Sequence, residues 1–324
     1  MTEINASTYW ANRKVVVLGG FGFLGQHISA ALANRGAIPI RLSRRTDCHV
    51  DRRGSLFYFL GSMRPDTVIN VAAMQGGIAF QKTNPFAILD TNLTMAGNAT
   101  AAAIATSGQL INVISSCAYP EMSAPMREDK LFSADVSESA PWYAEAKRAS
   151  VRYTEAAVAE FGFDARSVIL PNLYGPGDHF ESTRSHALAA LVRKFYEAER
   201  DGVERVEVWG TGNPVREWMY AGDAADGILN YGEIDTAPKR MNIGTGVGFS
   251  INELAHLIRE VSGCDANIVY NTEKGDGPMV KVMNVALMRK TMAWRPRMDL
   301  SQGIKITLDW LKQNYDVLSQ AGAF

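Results

Sequence analysis

The chain has 324 residues, 47% of them hydrophobic, with 33 basic and 34 acidic side chains and a formal charge of −1. That length can bury a large core and predicts two lobes, while the balanced charge gives no electrostatic reason to expect nucleic acid or an anionic membrane as partner. No apolar run approaches the roughly 20 residues a transmembrane helix needs, and the first residues lack a charged-then-apolar secretory pattern.

In chain order, Val15 to Leu18 have the continuous apolar, β-branched character of a strand buried on both faces. Gly19, Gly22 and Gly25 follow at three-residue spacing, with Phe23 and Leu24 between the last two. Gln26 to Asn34 then reads as a helix ending at Gly36. A glycine turn between strand and helix lets backbone amides approach a pyrophosphate without side-chain obstruction. The second strand, Ile38 to Leu42, runs into Ser43, Arg44 and Arg45. An acid here would accept from a ribose and repel a 2′-phosphate. Two guanidiniums instead match a phosphate bidentately, which favours NADP over NAD. Asp51 is placed to meet the adenine amino group. The next β-unit, Asp66 to Ala73, ends in the small Ala72 and Ala73, against which a cofactor can lie.

Strands expected at 14–18, 38–42, 67–72, 110–115 and 165–170 alternate with helical patterns, as in a parallel sheet covered on both faces. The fold class is α/β: a Rossmann-type doubly wound parallel sheet with a smaller, mixed α/β C-terminal substrate lobe. The expected division is residues 1–172 for the NADP-binding domain, with returning segments near 217–249, and 173–324 for the substrate-binding domain. Ligands in such sheets bind beyond the carboxyl ends of the strands.

Chemistry-bearing residues fall at those ends. Strand 110–115 runs into Ser115, Ser116 and Cys117, and a serine here can donate to a reacting carbonyl oxygen. Tyr143 and Lys147 are one helical turn apart, so both lie on one face. The ammonium is expected to lower the phenol from its usual value of about 10, so that it can give a proton to a carbonyl as hydride arrives. Cys48, Cys117 and Cys264 are scattered without a CxxC pair, and the five histidines form no HExxH cluster, so neither disulfides nor a metal are expected. Cytoplasmic location follows from the same features.

The chain resembles the extended short-chain dehydrogenases/reductases and, within them, the GDP-L-fucose synthases. The resemblance spans nearly the whole chain. It is carried by Ala72-Ala-Met-Gln-Gly-Gly-Ile78, Ser115-Ser-Cys-Ala-Tyr-Pro120, Tyr143-Ala-Glu-Ala-Lys147, Pro171-Asn-Leu-Tyr-Gly-Pro176, Ser185-His-Ala187, Val208-Trp-Gly-Thr-Gly212, Pro214-Val-Arg-Glu217 and Asn242-Ile-Gly-Thr-Gly-Val247. Cys117 together with Ser185-His186 is the narrower signature. The resemblance implies that Tyr143 protonates the sugar C4 oxygen as NADPH delivers hydride, that Lys147 holds the nicotinamide ribose, and that Ser115 polarises the carbonyl. It implies that Cys117 and His186 are the acid/base pair for epimerisation, for which a thiol and an imidazole have suitable reference pKa values. Pro171, Asn172, Leu173 and His186 would border the cofactor, and Asn172 would contact the sugar or the nicotinamide. Arg193, Trp209, Arg216 and Lys281 match positions that bind the GDP-sugar, although Trp209 equally fits a core aromatic. Three positions depart from the family: Val280 stands for a common arginine, Asn284 for an aspartate, and Phe21 occupies a glycine-loop position that can be arginine. The implied activity is NADPH-dependent conversion of GDP-4-keto-6-deoxymannose to GDP-L-fucose by a homodimer. The alternative is a related GDP-sugar enzyme, of deoxyheptose or colitose type, that performs only one of the two steps. Dimer contacts are expected from 91–107 and 142–160.

Overall fold

The computed structural model describes residues 8–43, 49–122, 125–181, 185–320 and 322. The first half alternates strands and helices: β1 (Lys14–Leu18), α1 (Phe23–Asn34), β2 (Ile38–Leu42), α2 (Arg53–Met63), β3 (Thr67–Asn70), α3 (Ile78–Thr83), α4 (Pro85–Thr106), β4 (Gln109–Ser115), α5 (Pro141–Phe161) and β5 (Asp164–Leu170). The rest comprises β6 (Asn172–Tyr174), α6 (Ala187–Asp201), β7 (Arg205–Trp209), β8 (Val215–Tyr220), α7 (Ala221–Gly232) and β9 (Arg240–Asn242). It ends with β10 (Gly248–Ser250), α8 (Ile251–Ser262), β11 (Asn267–Asn271), β12 (Val280–Lys281), α9 (Ala286–Thr291) and α10 (Leu300–Gln320).

Six strands form one parallel sheet in the order β2-β1-β3-β4-β5-β9. The doubly wound α/β fold expected from the alternation is therefore present. Its apolar run explains why: Val15 and Val17 enter the core on one face, while Val16 and Leu18 enter the core on the other. Each such side chain contributes about 1.5–3 kcal/mol on full burial. The sixth strand, β9, pairs with β5 through Ser167–Arg240 to Ile169–Asn242.

A second layer is organised around β8. It pairs antiparallel with β10 and parallel with both β6 and β12. The β7–β11 pair lies apart from it, and α6, α8 and α10 surround a third apolar core that includes Leu188, Phe195, Leu254 and Ile304. The connection from β5 through Pro171 into β6 carries the chain from the first sheet directly to β8. The carboxyl ends of β4 and β5 thereby come to lie beside the second layer.

Candidate active site

The glycine turn is sterically compelled. Gly19 has φ +84°, and an added Cβ would lie 2.9 Å from the Ala72 backbone; at Gly25 it would lie 2.2 Å from the Gly19 carbonyl. Gly22 is the N-cap of α1, which no side chain caps, so the first amides of that helix, at Phe23, Leu24 and Gly25, face the turn. Above it opens a cleft of about 470 Å³ bordered by Gly19, Gly22, Ser43, Asp51, Ala72 and Ala73. Met74 and Gln75 also line it; neither was singled out from sequence, although both lie inside a motif that was. These features fit a dinucleotide: a cradle that any Cβ would fill, uncapped amides for the phosphates, and small residues where a flat ring can lie. A larger hollow of about 640 Å³, bordered by Arg13, Arg64, Asp66 and Asp164, opens at the opposite, amino end of the sheet and holds no candidate residue.

Arg44 and Arg45 lie outside the described residues. Arg41, which the sequence reading passed over, stacks its guanidinium 4.4 Å from the centroid of Phe21. A cation therefore stands beside Phe21 in the glycine loop.

Ser115 closes β4, and its Oγ accepts from the Cys117 amide at 3.2 Å. That bond holds the short 3₁₀ turn 116–118 that presents the thiol. Tyr143 and Lys147 lie on the buried face of α5, at 4% and 6% exposure. The Lys147 ammonium is 5.7 Å from the Tyr143 ring centroid and donates to the Val113 carbonyl at 3.1 Å. Here the structure departs from the expected acidity. Burial, with a further contribution from the negative charge of Cys117, pushes the Tyr143 phenol up, and burial lowers Lys147 to about 8. Lys147 directs its hydrogen bond to a backbone carbonyl rather than to the phenol, and desolvation dominates the phenol. The hydroxyl consequently stays protonated throughout the neutral range.

Burial alone would also push the Cys117 thiol up. The Lys281 ammonium, the Ser115 hydroxyl and the Arg216 guanidinium outweigh that effect and hold it below its ordinary value. Lys281 Nζ donates to Cys117 Sγ at 3.4 Å. His186, the N-cap residue of α6, stands exposed at the cleft mouth. Crowding by surrounding protein, followed by the nearby His179 and Lys281, lowers its imidazole. The Gln75 amide nitrogen lies 3.5 Å from His186 Nε2.

The other candidate residues have partners of their own. Asn172 spends its amide on the Glu217 carbonyl at 3.0 Å, joining β6 to β8 between Pro171 and Leu173. Arg193 is paired with Glu197 at 2.7 Å and donates to the Phe180 carbonyl. Trp209 is 55% exposed, with Lys194 and Lys274 each 5.4 Å from its ring; this excludes a core role. Arg216 donates to the Val215 and Asp276 carbonyls. Among the described residues no group of acidic, histidine or cysteine side chains could hold a metal ion, and no helix is long and apolar enough to cross a membrane.

Two polar hubs brace this arrangement. The fully buried Glu217 carboxylate accepts from the amides of Thr245 at 2.7 Å, Gly246 at 3.0 Å and Met283 at 2.8 Å. Asn242 accepts from the Tyr119 hydroxyl at 2.7 Å, and its amide donates to the Met126 and Asn284 carbonyls.

Residues 15–244 match the model of the NAD dependent epimerase/dehydratase family. The chain belongs to that family. Its members work through a nicotinamide dinucleotide, and this epimerase/dehydratase-family enzyme is 33% identical over 304 residues to the probable GDP-L-fucose synthase 1 of Oryza sativa subsp. japonica. The match covers 93% of this chain and 92% of the relative. The GDP-L-fucose synthase of Escherichia coli (strain K12) is 32% identical over 317 residues, 94% of this chain and 98% of its own length. Among solved structures, a GDP-L-fucose synthetase from Naegleria fowleri bound to NADP superposes with a TM-score of 0.84 at 27% identity. It covers 94% of both chains.

Proposed function

We propose that the protein is a bifunctional epimerase/reductase that converts GDP-4-keto-6-deoxymannose to GDP-L-fucose. What supports this reading is the Cys117 amide donating to Ser115 Oγ at 3.2 Å and the buried Tyr143 phenol responding to the Cys117 charge, in a chain similar to GDP-L-fucose synthases over nine-tenths of its length. Epimerisation and reduction share one carbonyl. A proton α to the 4-ketone is acidic because the enolate places its charge on the oxygen that Ser115 and Tyr143 serve. Cys117 and His186 act on opposite faces of the carbon, one removing the proton and the other returning one, which inverts it. Tyr143, kept protonated by burial, then delivers its proton to the same oxygen. Bound NADPH supplies the hydride to C4, and Lys147 anchors the nicotinamide ribose.

NADP is favoured over NAD by Ser43, Arg44 and Arg45, joined by Arg41 on Phe21. In this assignment residues 1–172 hold the dinucleotide, with Asp51 toward the adenine, and 173–324 hold the GDP-sugar. Arg193 and Arg216 serve the diphosphate, and Trp209 stacks on the base. The working form is a cytoplasmic homodimer formed through α4 and α5, where Phe86, Trp142, Tyr153 and Phe161 are exposed.

Incubation with GDP-4-keto-6-deoxymannose and NADPH in D₂O, followed by NMR of the product, tests the reading. One NADPH oxidised per sugar and deuterium at the inverted carbons are expected. Cys117→Ala should abolish that deuterium uptake. Absence of NADPH oxidation, or a product without deuterium, would refute the assignment.

A further inference from the structure

Lys281 and Cys117 are 164 residues apart in the chain yet in contact, at 3.4 Å between Nζ and Sγ. The approach is built into the backbone. Lys281 lies on β12 in parallel register with Arg216 of β8, so the two side chains point to the same side of that sheet. The strand is fixed on both flanks: the Met126 amide donates to the Val282 carbonyl at 2.8 Å, and Glu217 accepts from the Met283 amide. Among the described residues no carboxylate forms an ion pair with Lys281, and the Arg216 guanidinium is spent on carbonyls rather than on a carboxylate. The Lys281 ammonium thus touches a partly exposed sulfur, and the Arg216 guanidinium acts on it through space while itself answering to the Asp276 and Glu121 carboxylates. The other titratable groups around the pair include Tyr143 on α5, whose phenol responds to the thiol's charge, and His186, whose imidazole responds to Lys281, with Asp276 and Glu121 on the Arg216 side.

We propose that Lys281 is a positioning residue for proton transfer: its ammonium, seconded by Arg216, holds Cys117 as a thiolate ready to act as a base, in addition to any contact it makes with the substrate. The inference rests on the assignment of Cys117 to epimerisation but adds a separate physical claim about the protein before any sugar is present. A cysteine at its usual pKa of about 8.5 is only a few per cent thiolate at pH 7, and an adjacent cation raises that fraction. The direction of the Cys117 shift, downward despite burial, agrees with this.

The test is the pH dependence of iodoacetamide alkylation of Cys117 in the full-length protein, followed by peptide mass spectrometry so that Cys48 and Cys264 are scored separately. The wild-type midpoint should lie below the free-thiol value. Lys281→Met should raise it by about one pH unit and slow alkylation at pH 7 roughly tenfold, and Lys281→Arg should restore most of both. A wild-type midpoint at or above about 8.5 would overturn the proposal without recourse to any variant. So would an unchanged midpoint in Lys281→Met, or an equal rise in Lys281→Arg, which would mean that shape rather than charge matters. Alkylation needs no turnover. If the proposed sugar chemistry fails while the midpoint shift stands, the fault lies with the substrate assignment and not with the ion pair.

Discussion

Replacing Lys147 with methionine should make the protein more stable and less active. The side chain is 6% exposed and its ammonium is held at about 8 against an ordinary 10.5 by desolvation. At about 1.4 kcal/mol per pH unit, that gap costs the folded state about 3 kcal/mol. Methionine removes the cost at similar length. Loss of the hydrogen bond to the Val113 carbonyl takes back about 1 kcal/mol, leaving a net gain of about 2 kcal/mol at pH 7. The sign has a pH signature. A lysine whose folded pKa lies below its unfolded pKa penalises folding fully below about 8, and the penalty is relieved as pH climbs toward 10.5. Wild-type stability should therefore rise relative to the variant across that window, closing the gap. Urea denaturation at half-unit steps from pH 7 to 10 measures both quantities, and turnover should fall about 100-fold. A Lys147→Met protein no more stable than wild type at pH 7, or a gap constant with pH, would refute the reasoning.

The glycine cradle and the carboxylate hub give two further expectations. Gly25→Ala places a methyl 2.2 Å from the Gly19 carbonyl, so the turn must shift and NADPH affinity should fall at least about tenfold by fluorescence titration; wild-type affinity would show that the turn is not the phosphate cradle. Glu217→Gln puts an amide NH₂ where backbone amides now donate. Relief of carboxylate burial offsets part of the loss, leaving about 2 kcal/mol of destabilisation, read as a lower urea midpoint at unchanged slope. An unmoved midpoint would discount the hub.

What the sequence reveals tracks how local the cause is. β1 and β2 fall at 14–18 and 38–42, as their apolar runs indicate. β3 stops at Asn70 rather than reaching 72, because the Asn70 side chain turns back to accept from the Ala72 amide. α1 begins at Phe23, three residues before the helical pattern becomes visible, since the Phe23-Leu24 pair between two glycines shows no helical period of its own. β9 is three residues long and acquires its identity only by pairing with β5, a tertiary event with no local signature. The same holds in the site. Tyr143 and Lys147 are neighbours by helical spacing and can be paired on sight. Lys281 reaches Cys117 only because β12 docks on β8, and Trp209 declares itself exposed only once the fold leaves its ring to solvent beside Lys194 and Lys274. Burial is what the motif could not convey: it reversed the direction expected for the Tyr143 phenol.

The Asn242 side chain has a consequence for redesign. One amide fastens Tyr119, two residues beyond Cys117, and Asn284, three beyond Lys281. A change of backbone path in either segment would strain that shared knot and move the sulfur and the ammonium relative to each other. New sugar preference is therefore most safely engineered by transplanting both segments as a matched cassette.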